Sequence, residues 1–301
     1  MTVRVGLVGC GRWGANVLRD LVALGADVTV AEPDTNRRVR ALATGATRGV
    51  ATAAQLPQCD GYVVVTPAPT HREVCEYLLS RAVPVFVEKP PCTDVADVEE
   101  LVRLGRDRLF VMHKWRYHPG IRVLAELARS GKLGAPERLE TIRTGPEVLT
   151  PDVDVLWHLG THDLSIAVEI LGAVAPVRAA AATRDAAGRI TQCRATMGSV
   201  AGPEHRLTVA AGVPERVRRV VVSGTEASAV LDHPEATAVS VRGHDRTEHV
   251  PVAQTMPLAE ELRVFLAHLT GGPPPVSDVT TALVIAQRLS ELQRAADATP
   301  A

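Results

Sequence analysis

Short apolar runs alternate with helical patterns through the first part of the chain. Five of these runs are rich in β-branched residues and predict buried strands: Val3–Val8, Val28–Val30, Gly61–Thr66, Val83–Val87 and Leu109–Met112. Between them, apolar residues recur at helical spacing after Gly9, over Asp34–Ala43 and over His71–Arg81. Strands that alternate with helices in this way predict a doubly wound parallel sheet in an α/β domain.

The second part of the chain has a different pattern, in which short segments alternate apolar and polar residues and are followed by glycines. These segments are Glu137–Thr144, Val177–Thr183, Ile190–Met197, His205–Ala211 and Val217–Ser223. Their spacing predicts a large, mostly antiparallel open sheet with one face packed on helices. Helical patterns cover Val155–Leu171, Leu258–Leu269 and Val279–Leu292, and the last two are amphipathic in the way typical of packing helices.

The change of pattern predicts two domains. We place an α/β domain over residues 1–119 and an α+β domain over residues 120–301, whose last helix is able to pack back on the first domain. The first domain is expected to bind a dinucleotide, for the reasons below. The second is expected to bind the substrate and to support oligomerisation.

Composition removes several classes of function. The chain has 301 residues with a formal net charge of −1, so nothing favours binding to nucleic acid or to an anionic membrane. No apolar run approaches the roughly 20 residues of a membrane span, and no secretion signal is evident, which predicts a cytoplasmic protein. The five cysteines are odd in number and form no C-x-x-C pair, which favours reduced thiols.

A glycine-rich turn follows the first predicted strand. Gly9, Gly11 and Gly14 form G-x-G-x-x-G between that strand and a helix, and Glu32 stands at the end of the next strand. The first glycine permits the tight turn, the second leaves room for a pyrophosphate, and the third allows close packing of helix and strand. The order of strand, motif, helix, strand and acid predicts dinucleotide binding. The alternative is an ordinary βαβ unit whose glycines only make the turn.

The residue at the end of the second strand bears on the choice of cofactor. A carboxylate such as Glu32 grips the ribose hydroxyls and repels a 2′-phosphate, which favours NAD. Arg37 and Arg38 follow on the next helix, where an arginine is able to accommodate that phosphate, so NADP stays possible. Both arginines are equally consistent with a solvated helix face.

Polar segments follow three of the predicted strands. They are Thr66–His71, Glu88–Pro91 and His113–His118. Ligands of doubly wound sheets gather at the carboxyl ends of the strands, so these segments predict the site. Lys89 lies between an acid and two prolines that fix its backbone, and its ammonium is suited to bind a substrate oxygen or to serve in proton transfer. The alternative is a surface lysine paired with Glu88.

These motifs together resemble the glucose–fructose oxidoreductase/inositol dehydrogenase (Gfo/Idh/MocA) family. The resemblance is carried by Gly9–Gly14 with Trp13 and Asn16, Pro67–His71, Glu88-Lys89-Pro90, Arg116–Pro119 and Ser130–Gly134. The glycine turn is most similar to the nucleotide-sugar 3-dehydrogenase/ketoreductase branch. The resemblance implies a homodimer or homotetramer formed through the open sheet face, with a small sugar-like substrate.

The resemblance also implies a set of site residues. Cofactor contacts are expected from Gly9, Cys10, Gly11, Arg12, Trp13, Gly14, Glu32, Arg37, Thr66, Pro67, His71, Glu88, Lys89 and Arg116. Substrate contacts are expected from Lys89, Arg116, Tyr117, His158, Thr161 and His162. Arg143, Glu147 and Asp152 are further residues that are able to face the substrate. Cys10 is expected to be a small residue beside the cofactor and not a nucleophile.

Two histidines lie in the helical pattern of the second domain. On a continuous α-helix, His158 and His162 would share one face. Gly160, His162, Asp163, Leu164 and Ser165 match the nucleotide-sugar branch, which implies that His162 is the catalytic acid/base. His158 stands where the family usually has aspartate, and it replaces that group, contacts substrate or marks a changed function. A zinc site would need a third ligand, and we predict no metal.

The sequence thus predicts an NAD(P)-dependent oxidoreductase. A hydride would pass between nicotinamide and a carbinol or ketone carbon of a sugar, nucleotide sugar or cyclitol, with Lys89, His162 and His158 as catalytic candidates. Such a reaction would suit a secondary-metabolite pathway. A second hypothesis keeps fold and cofactor for imine reduction or a redox-neutral step. A third is a dinucleotide sensor without turnover, against which Lys89 and His162 argue.

Overall fold

The computed structural model describes residues 2–149, 153–199 and 202–298. The chain forms two compact units, and the first of them is discontinuous in sequence. It contains Met1–Lys114 and Met256–Leu283, whereas the second unit contains Trp115–Thr255 and Val284–Ala301. The predicted division after residue 119, with the functions given to either side, stays a prediction.

The first unit is built on a six-stranded parallel sheet. Its strands are β1 (Arg4–Val8), β2 (Asp27–Ala31), β3 (Arg48–Val50), β4 (Gly61–Val64), β5 (Val85–Glu88) and β6 (Leu109–Met112). They lie in the order β3-β2-β1-β4-β5-β6, and every pair is parallel. The strand order reverses between β1 and β4, which are neighbours. In doubly wound sheets, ligands bind at this reversal, outside the carboxyl ends of the strands.

Five helices contribute to the first unit. They are α1 (Arg12–Ala23), α2 (Thr35–Ala43), α3 (His71–Leu79), α4 (Val95–Gly105) and α7 (Pro257–Leu269). The last of these comes from the far end of the sequence and packs against α1. Its Phe265 is fully buried, and the ring centroid lies 5.0 Å from that of Phe86 on β5. A segment that the sequence identified only as a packing helix therefore completes the core of the first unit.

The second unit is built on an eight-stranded sheet. Its strands are β7 (Pro136–Gly145), β8 (Val177–Arg184), β9 (Ile190–Met197), β10 (Glu204–Ala211), β11 (Val217–Gly224), β12 (Ser228–Leu231), β13 (Ala238–Arg242) and β14 (Thr247–Pro251). They lie in the order β14-β13-β12-β11-β7-β10-β9-β8. The pair β7–β10 is parallel, and the other six pairs are antiparallel.

Two helices cover one face of this second sheet. They are α5 (Pro119–Arg129) and α6 (Thr161–Leu171). A further helix, α8 (Val279–Ala298), ends the described part of the chain. Ile121 and Leu124 of α5 and Ile166 of α6 share one buried cluster with Leu139 of β7 and Val220 of β11. Inward residues of β7 occur at every second position, as the period of a strand requires.

The observed architecture confirms the predicted fold class. A doubly wound parallel sheet comes first, and a large, mostly antiparallel sheet follows. Over the part of the chain that the structure describes, no helix is both long and apolar enough to cross a bilayer. The described cysteines Cys10, Cys59, Cys75, Cys92 and Cys193 are buried thiols that form no disulfide with one another.

The position of α7 in the first core leads to a stability prediction. Replacing the fully buried Phe265 with alanine removes its contact with Phe86 and leaves a cavity. We expect Phe265→Ala to lower the free energy of unfolding by about 3–5 kcal/mol. Urea unfolding measures this loss. Val39→Ala, at a side chain that is 60% exposed, is the control and should change stability by less than about 0.5 kcal/mol. Equal stability of the two variants would contradict the packing of α7.

Candidate functional site

The glycine turn joins β1 to α1 with very close backbone packing. A Cβ atom on Gly14 would lie 2.3 Å from the carbonyl oxygen of Gly9, and a Cβ on Gly9 would lie 2.6 Å from the carbonyl oxygen of Val65. Gly9 also has a φ of 90°, which favours glycine. Around Gly11 the nearest atom to such a Cβ is an Arg37 nitrogen at 3.9 Å, so this position faces open space. A pyrophosphate is able to approach the backbone there.

The N-terminus of α1 is free to receive an anion. Gly11 is the N-cap, no side chain caps the helix, and its first turn has no acidic residue. The N–H groups of the first helical turn have no partner within the helix, and they favour negative charge. Arg12 is exposed at the first helical position, and Trp13 is half-buried. The turn therefore fits the pyrophosphate of a dinucleotide.

Glu32 follows β2 and lies against the same turn. It is 3% exposed, and Oε2 accepts a hydrogen bond of 2.8 Å from the backbone N–H of Cys10. Oε1 accepts from the N–H of Asp34 at 3.1 Å. These bonds fix the carboxylate beside the glycine turn. Burial, together with the Glu32 charge, raises the pKa of the Cys10 thiol, which keeps it protonated and unsuited to nucleophilic attack.

Arg37 and Arg38, the two arginines that follow Glu32, differ in their hydrogen-bond partners and in their exposure to solvent. Arg38 donates to the carbonyl oxygens of Glu32 and Pro33 and to the hydroxyl of Thr35, so its guanidinium holds the loop after β2. Arg37 is half exposed, and its Nη1 lies 3.7 Å from Oε1 of Glu32. Only Arg37 is thus placed near the carboxylate with its guanidinium largely in solvent.

His71 connects two of the predicted strand-end segments. It is 1% exposed at the start of α3. Its Nε2 lies 2.8 Å from the carbonyl oxygen of Thr66, and its Nδ1 lies 2.8 Å from the carbonyl oxygen of Pro90. Burial lowers the pKa of His71, whereas these two hydrogen bonds raise it. The ring ties the end of β4 to the segment that carries Lys89, and thus has a structural role that the sequence did not predict.

A group of charged residues surrounds Glu88, the last residue of β5. Burial raises the pKa of Glu88, and Lys89, Lys114 and the indole N–H of Trp13 oppose this rise. The Lys114 ammonium lies 4.4 Å from the centre of the Trp13 ring, within range of a cation–π contact. Glu261 of α7 is 1% exposed, and burial followed by repulsion from Glu88 raises its pKa well above the usual value. Lys89 therefore follows directly after Glu88, a half-buried carboxyl group that interacts with the buried Glu261.

In the second unit, the histidine helix is not a continuous α-helix. Leu156–Gly160 is a π-helical turn that leads into α6 at Thr161. Asp154 stabilises its start, because Oδ1 accepts from the N–H groups of Leu156 and Trp157. His158 is half-buried in the π turn, whereas Thr161 and His162 are buried in the first turn of α6. Turns of this kind are frequent at functional sites.

An aromatic cluster lies beside His162. The Trp115 and His162 ring centroids are 6.4 Å apart with an edge-on arrangement, and Trp115 stacks on His118 at 5.0 Å. The Trp115 ring also receives the Arg143 guanidinium, whose carbon lies 4.2 Å from the ring centre. Arg143 is 3% exposed and donates from Nε to both carboxylate oxygens of Asp163, at 3.0 and 3.1 Å. The residue after His162 is thus held by a buried ion pair.

The remaining candidates occupy less open positions. Arg116 pairs with Glu169 of α6 at 3.2 Å, and Tyr117 is 1% exposed beneath the Arg122 guanidinium. Glu147 pairs with Arg216 and Arg218, while Asp152 lies outside the described residues. Among the residues that the structure describes, no group of three or more histidines, cysteines, aspartates and glutamates is arranged to hold a metal ion.

Comparison with known proteins gives the family. Residues 3–112 match the model of the GFO_IDH_MocA group, described as an oxidoreductase family with an NAD-binding Rossmann fold. The UDP-N-acetylglucosamine 3-dehydrogenase of Acidithiobacillus ferrooxidans is 28% identical over 92% of this chain and 91% of that protein. Residues 3–112 therefore match the NAD-binding domain of the Gfo/Idh/MocA oxidoreductases, and the chain is an NAD-binding enzyme. The predicted resemblance, the fold class and the cofactor class are confirmed.

Other relatives agree with this match. An inositol 2-dehydrogenase of Streptomyces avermitilis is 34% identical over 44% of this chain and 42% of that protein. The solved structure of the Acidithiobacillus ferrooxidans enzyme, GnnA, matches with a TM-score of 0.86, 25% identity and coverage of 99% of both chains. The 3-ketoreductase KijD10 of Actinomadura kijaniata, solved with TDP-benzene and NADP, shares the fold with a TM-score of 0.86, 21% identity and coverage of 98% of both chains.

The two described aspartates nearest to His158 in sequence both have structural partners. Asp154 accepts two backbone N–H groups and the Gln293 side chain, while Asp163 is engaged by Arg143. Both of these carboxylates therefore have structural roles.

The buried carboxyl of Glu261 and the burial of Arg143 against Asp163 were not predicted from the sequence. Glu261 lies among Leu258, Leu262 and Phe265 on the apolar face of α7, and a carboxyl group at such a position was the signal. Arg143 follows Leu139 and Thr141 at the inward positions of β7, where alternation calls for apolar residues. A polar residue that breaks an apolar period indicates a tertiary partner or a functional group.

The buried carboxyl of Glu261 leads to a prediction on pH dependence. Since folding raises its pKa, the folded chain binds this proton more tightly than the unfolded chain does. The resulting stability is full below the unfolded pKa and is lost as the pH rises through the folded value, by about 1.4 kcal/mol per unit of pKa difference. Glu261→Gln keeps the shape without the proton. We expect the variant to gain stability over the wild type as the pH rises, in urea unfolding from about pH 5 to pH 9.

The exposed residue Glu99 provides the matched control. Glu99→Gln should follow the wild-type curve, because the Glu99 side chain is exposed in the folded protein. Glu88 remains in the Glu261→Gln variant, so part of the pH dependence should persist. If Glu261→Gln and the wild type lost stability in parallel above neutral pH, Glu261 would not be the buried group that titrates.

Proposed function

We propose that the protein is an NAD-dependent oxidoreductase that acts on a carbinol or ketone carbon of a sugar, nucleotide sugar or cyclitol. The observation that supports this most is the similarity over nearly the whole of both chains to the UDP-N-acetylglucosamine 3-dehydrogenase. The matches to inositol 2-dehydrogenases cover about half of the chain. A nucleotide sugar is therefore the first substrate class to test, and a cyclitol is the second.

The cofactor would be held by the glycine turn and the residues around it. In this proposal Gly11 and the start of α1 receive the pyrophosphate, and Glu32 receives the ribose hydroxyls. Thr66, Pro67 and His71 form the adjoining strand end, and Glu88 and Lys89 form the next one. When bound, the nicotinamide supplies the acceptor or donor of the hydride.

NAD is the proposed cofactor in preference to NADP. Glu32 is buried and fixed by two backbone N–H groups, so its carboxylate cannot swing away from a 2′-phosphate. The negative charges of the Glu32 carboxylate and of the 2′-phosphate would repel each other, and this repulsion would weaken NADPH binding. Arg37 is the one described cation paired with Glu32, and at 3.7 Å it partly neutralises the carboxylate. Some binding of NADPH is therefore expected.

Lys89 and His162 are the proposed acid–base residues. The Lys89 ammonium would donate a hydrogen bond to the reacting oxygen and stabilise negative charge as it develops there. The His162 imidazole would accept the hydroxyl proton in oxidation and return it in reduction, because a histidine exchanges protons readily near neutral pH. We propose that Arg116, Tyr117, Thr161 and His158 contribute to the substrate side.

A second candidate function follows from His158. The resemblance puts His158 where the family usually has aspartate, and Asp154 and Asp163 are held in structural hydrogen bonds. Imine reduction or a redox-neutral step through a transient ketone would use the same cofactor with a different acid–base requirement. A dinucleotide sensor is the third candidate, and it predicts cofactor binding with no turnover of any substrate.

The assignment of Glu32 leads to a binding prediction. Glu32→Gln removes the carboxylate that, in this proposal, accepts hydrogen bonds from the ribose hydroxyls. It also removes the negative charge that repels a 2′-phosphate. We expect the dissociation constant of NADH to rise by about tenfold, equivalent to about 1.4 kcal/mol, while NADPH binds as well as before or better. Titration of cofactor fluorescence measures both constants. Glu73→Gln, at an exposed position on α3, is the control and should bind both cofactors as the wild type does. An unchanged preference in Glu32→Gln would remove Glu32 from the cofactor site.

The catalytic roles lead to a kinetic prediction. With UDP-N-acetylglucosamine or myo-inositol as substrate, we expect Lys89→Met and His162→Asn to lower kcat by roughly 10²–10⁴-fold, since each removes a group that acts on the reacting oxygen or its proton. NADH binding should change by less than about threefold. Reduction of NAD followed by absorbance measures turnover.

Two exposed residues serve as matched controls for this experiment. Lys132 is 45% exposed and His233 is 60% exposed, so Lys132→Met and His233→Asn should retain wild-type turnover. If every candidate sugar failed with the wild type while NADH still bound, the sensor hypothesis would be favoured. Full activity of His162→Asn would exclude His162 as the proton acceptor.

A further inference from the structure

Arg143 is a buried charge at an inward position of β7. It is 3% exposed, and its partner Asp163 on α6 is 1% exposed. A buried ion pair is costly to desolvate, and breaking one partner away typically destabilises a protein by about 3–5 kcal/mol. The desolvation opposes the pair, so stability alone is a weak reason to place it there. The pair is also next in sequence to His162, which suggests a second role.

The Arg143 guanidinium makes a second contact, with the indole of Trp115. Its central carbon lies 4.2 Å from the ring centre, within the range of cation–π attraction. The same indole meets the His162 ring edge-on at 6.4 Å between centroids and stacks on His118 at 5.0 Å with 13° between the planes. Trp115 is therefore in contact with Arg143, His118 and His162.

Further charged residues lie next to this pair, the first of them a second arginine on the neighbouring strand β11. Arg218 lies beyond Arg143, and its Nη2 donates to Glu147, which also receives Arg216. Burial, together with the Arg143 charge, lowers the pKa of Arg218, whereas burial raises the pKa of Asp163 against the opposing effect of Arg143. The guanidinium of Arg143 thus stands between one carboxylate, one cation and one indole. Contacts with Asp163 and Trp115 therefore fix the orientation of the Arg143 guanidinium.

We propose that Arg143 is a positioning residue, whose guanidinium, held by Asp163 and stacked on Trp115, fixes the indole against which the His162 ring lies. The inference rests on the proposed role of His162 in proton transfer. Arg143 acts through Trp115 and through the backbone of Asp163, and the function proposed here gives it no contact with substrate. Its planar guanidinium is essential to this role, because a lysine offers a charge but no surface for stacking.

A matched pair of substitutions tests this proposal. Arg143→Lys keeps the positive charge beside Asp163 and removes the stacking on Trp115. Arg138→Lys is the control, since Arg138 is on the same strand, is 45% exposed and pairs with Glu204. The His162 imidazole is followed by NMR of the protein labelled at histidine, with its resonances assigned by their loss in His162→Asn. The measured quantities are its titration midpoint and its ratio of tautomers.

We expect Arg143→Lys to shift the His162 midpoint by at least about half a pH unit and to change the tautomer ratio. The Arg138→Lys spectrum should match the wild type. With a substrate, kcat should fall on the order of tenfold while KM changes by less than about threefold, since an imidazole out of place slows proton transfer more than binding. An unchanged His162 titration in a folded Arg143→Lys protein would overturn the proposal and leave the ion pair a purely structural tie.

A second variant covers the case in which Arg143→Lys fails to fold. Trp115→Phe leaves the Arg143–Asp163 pair in place and removes the larger ring between Arg143 and His162. It should shift the His162 midpoint as well, and a wild-type titration in this variant would equally overturn the proposal. The NMR readout needs no substrate. A shifted midpoint in an enzyme that turns over none of the sugars would uphold this inference and reject the proposed function.

Discussion

Close backbone packing at the first turn is the constraint on which the first unit depends. The carbonyl oxygen of Gly9 leaves no space for a side chain at Gly14, so α1 is able to start directly against β1. The N–H groups at the helix N-terminus then face the carboxyl ends of the strands, next to Glu32. This arrangement brings uncapped backbone N–H groups and the Glu32 carboxylate to one edge of the sheet, as the proposed binding of a pyrophosphate and a ribose requires.

Each unit buries charged groups, and the surroundings of these groups differ. Glu32 is satisfied by backbone N–H groups and Asp163 by the Arg143 guanidinium, whereas burial near Glu88 raises the pKa of Glu261. Such groups are expensive to remove from water, so a protein that only had to fold would replace them with apolar side chains. Asp163 directly follows the candidate His162 and Glu88 directly precedes the candidate Lys89, which is the pattern expected where pKa values are arranged for chemistry.

Much of this could be predicted from the chain, but not all of it. The strands at Leu109–Met112 and Ile190–Met197 were located to the residue, because alternation and β-branched runs are local signals. The strands β3, β12, β13 and β14 are short and were not predicted individually. The helix at His158 was predicted, but its π-helical first turn was not, since apolar spacing does not distinguish the two hydrogen-bond patterns over a few residues.

The sequence by itself determined the fold class and the dinucleotide motif, because these follow from residue spacings within one element or one turn. It proposed Lys89 from its place after a strand and His162 from the family resemblance. Tertiary structure alone decided which distant residues meet: Glu261 with Glu88, Arg143 with Asp163, and His71 with Pro90. It also decided that α7 completes the first core instead of the second. The physical reason is that partner choice depends on strand register and helix packing, which the whole chain sets together and no local period records.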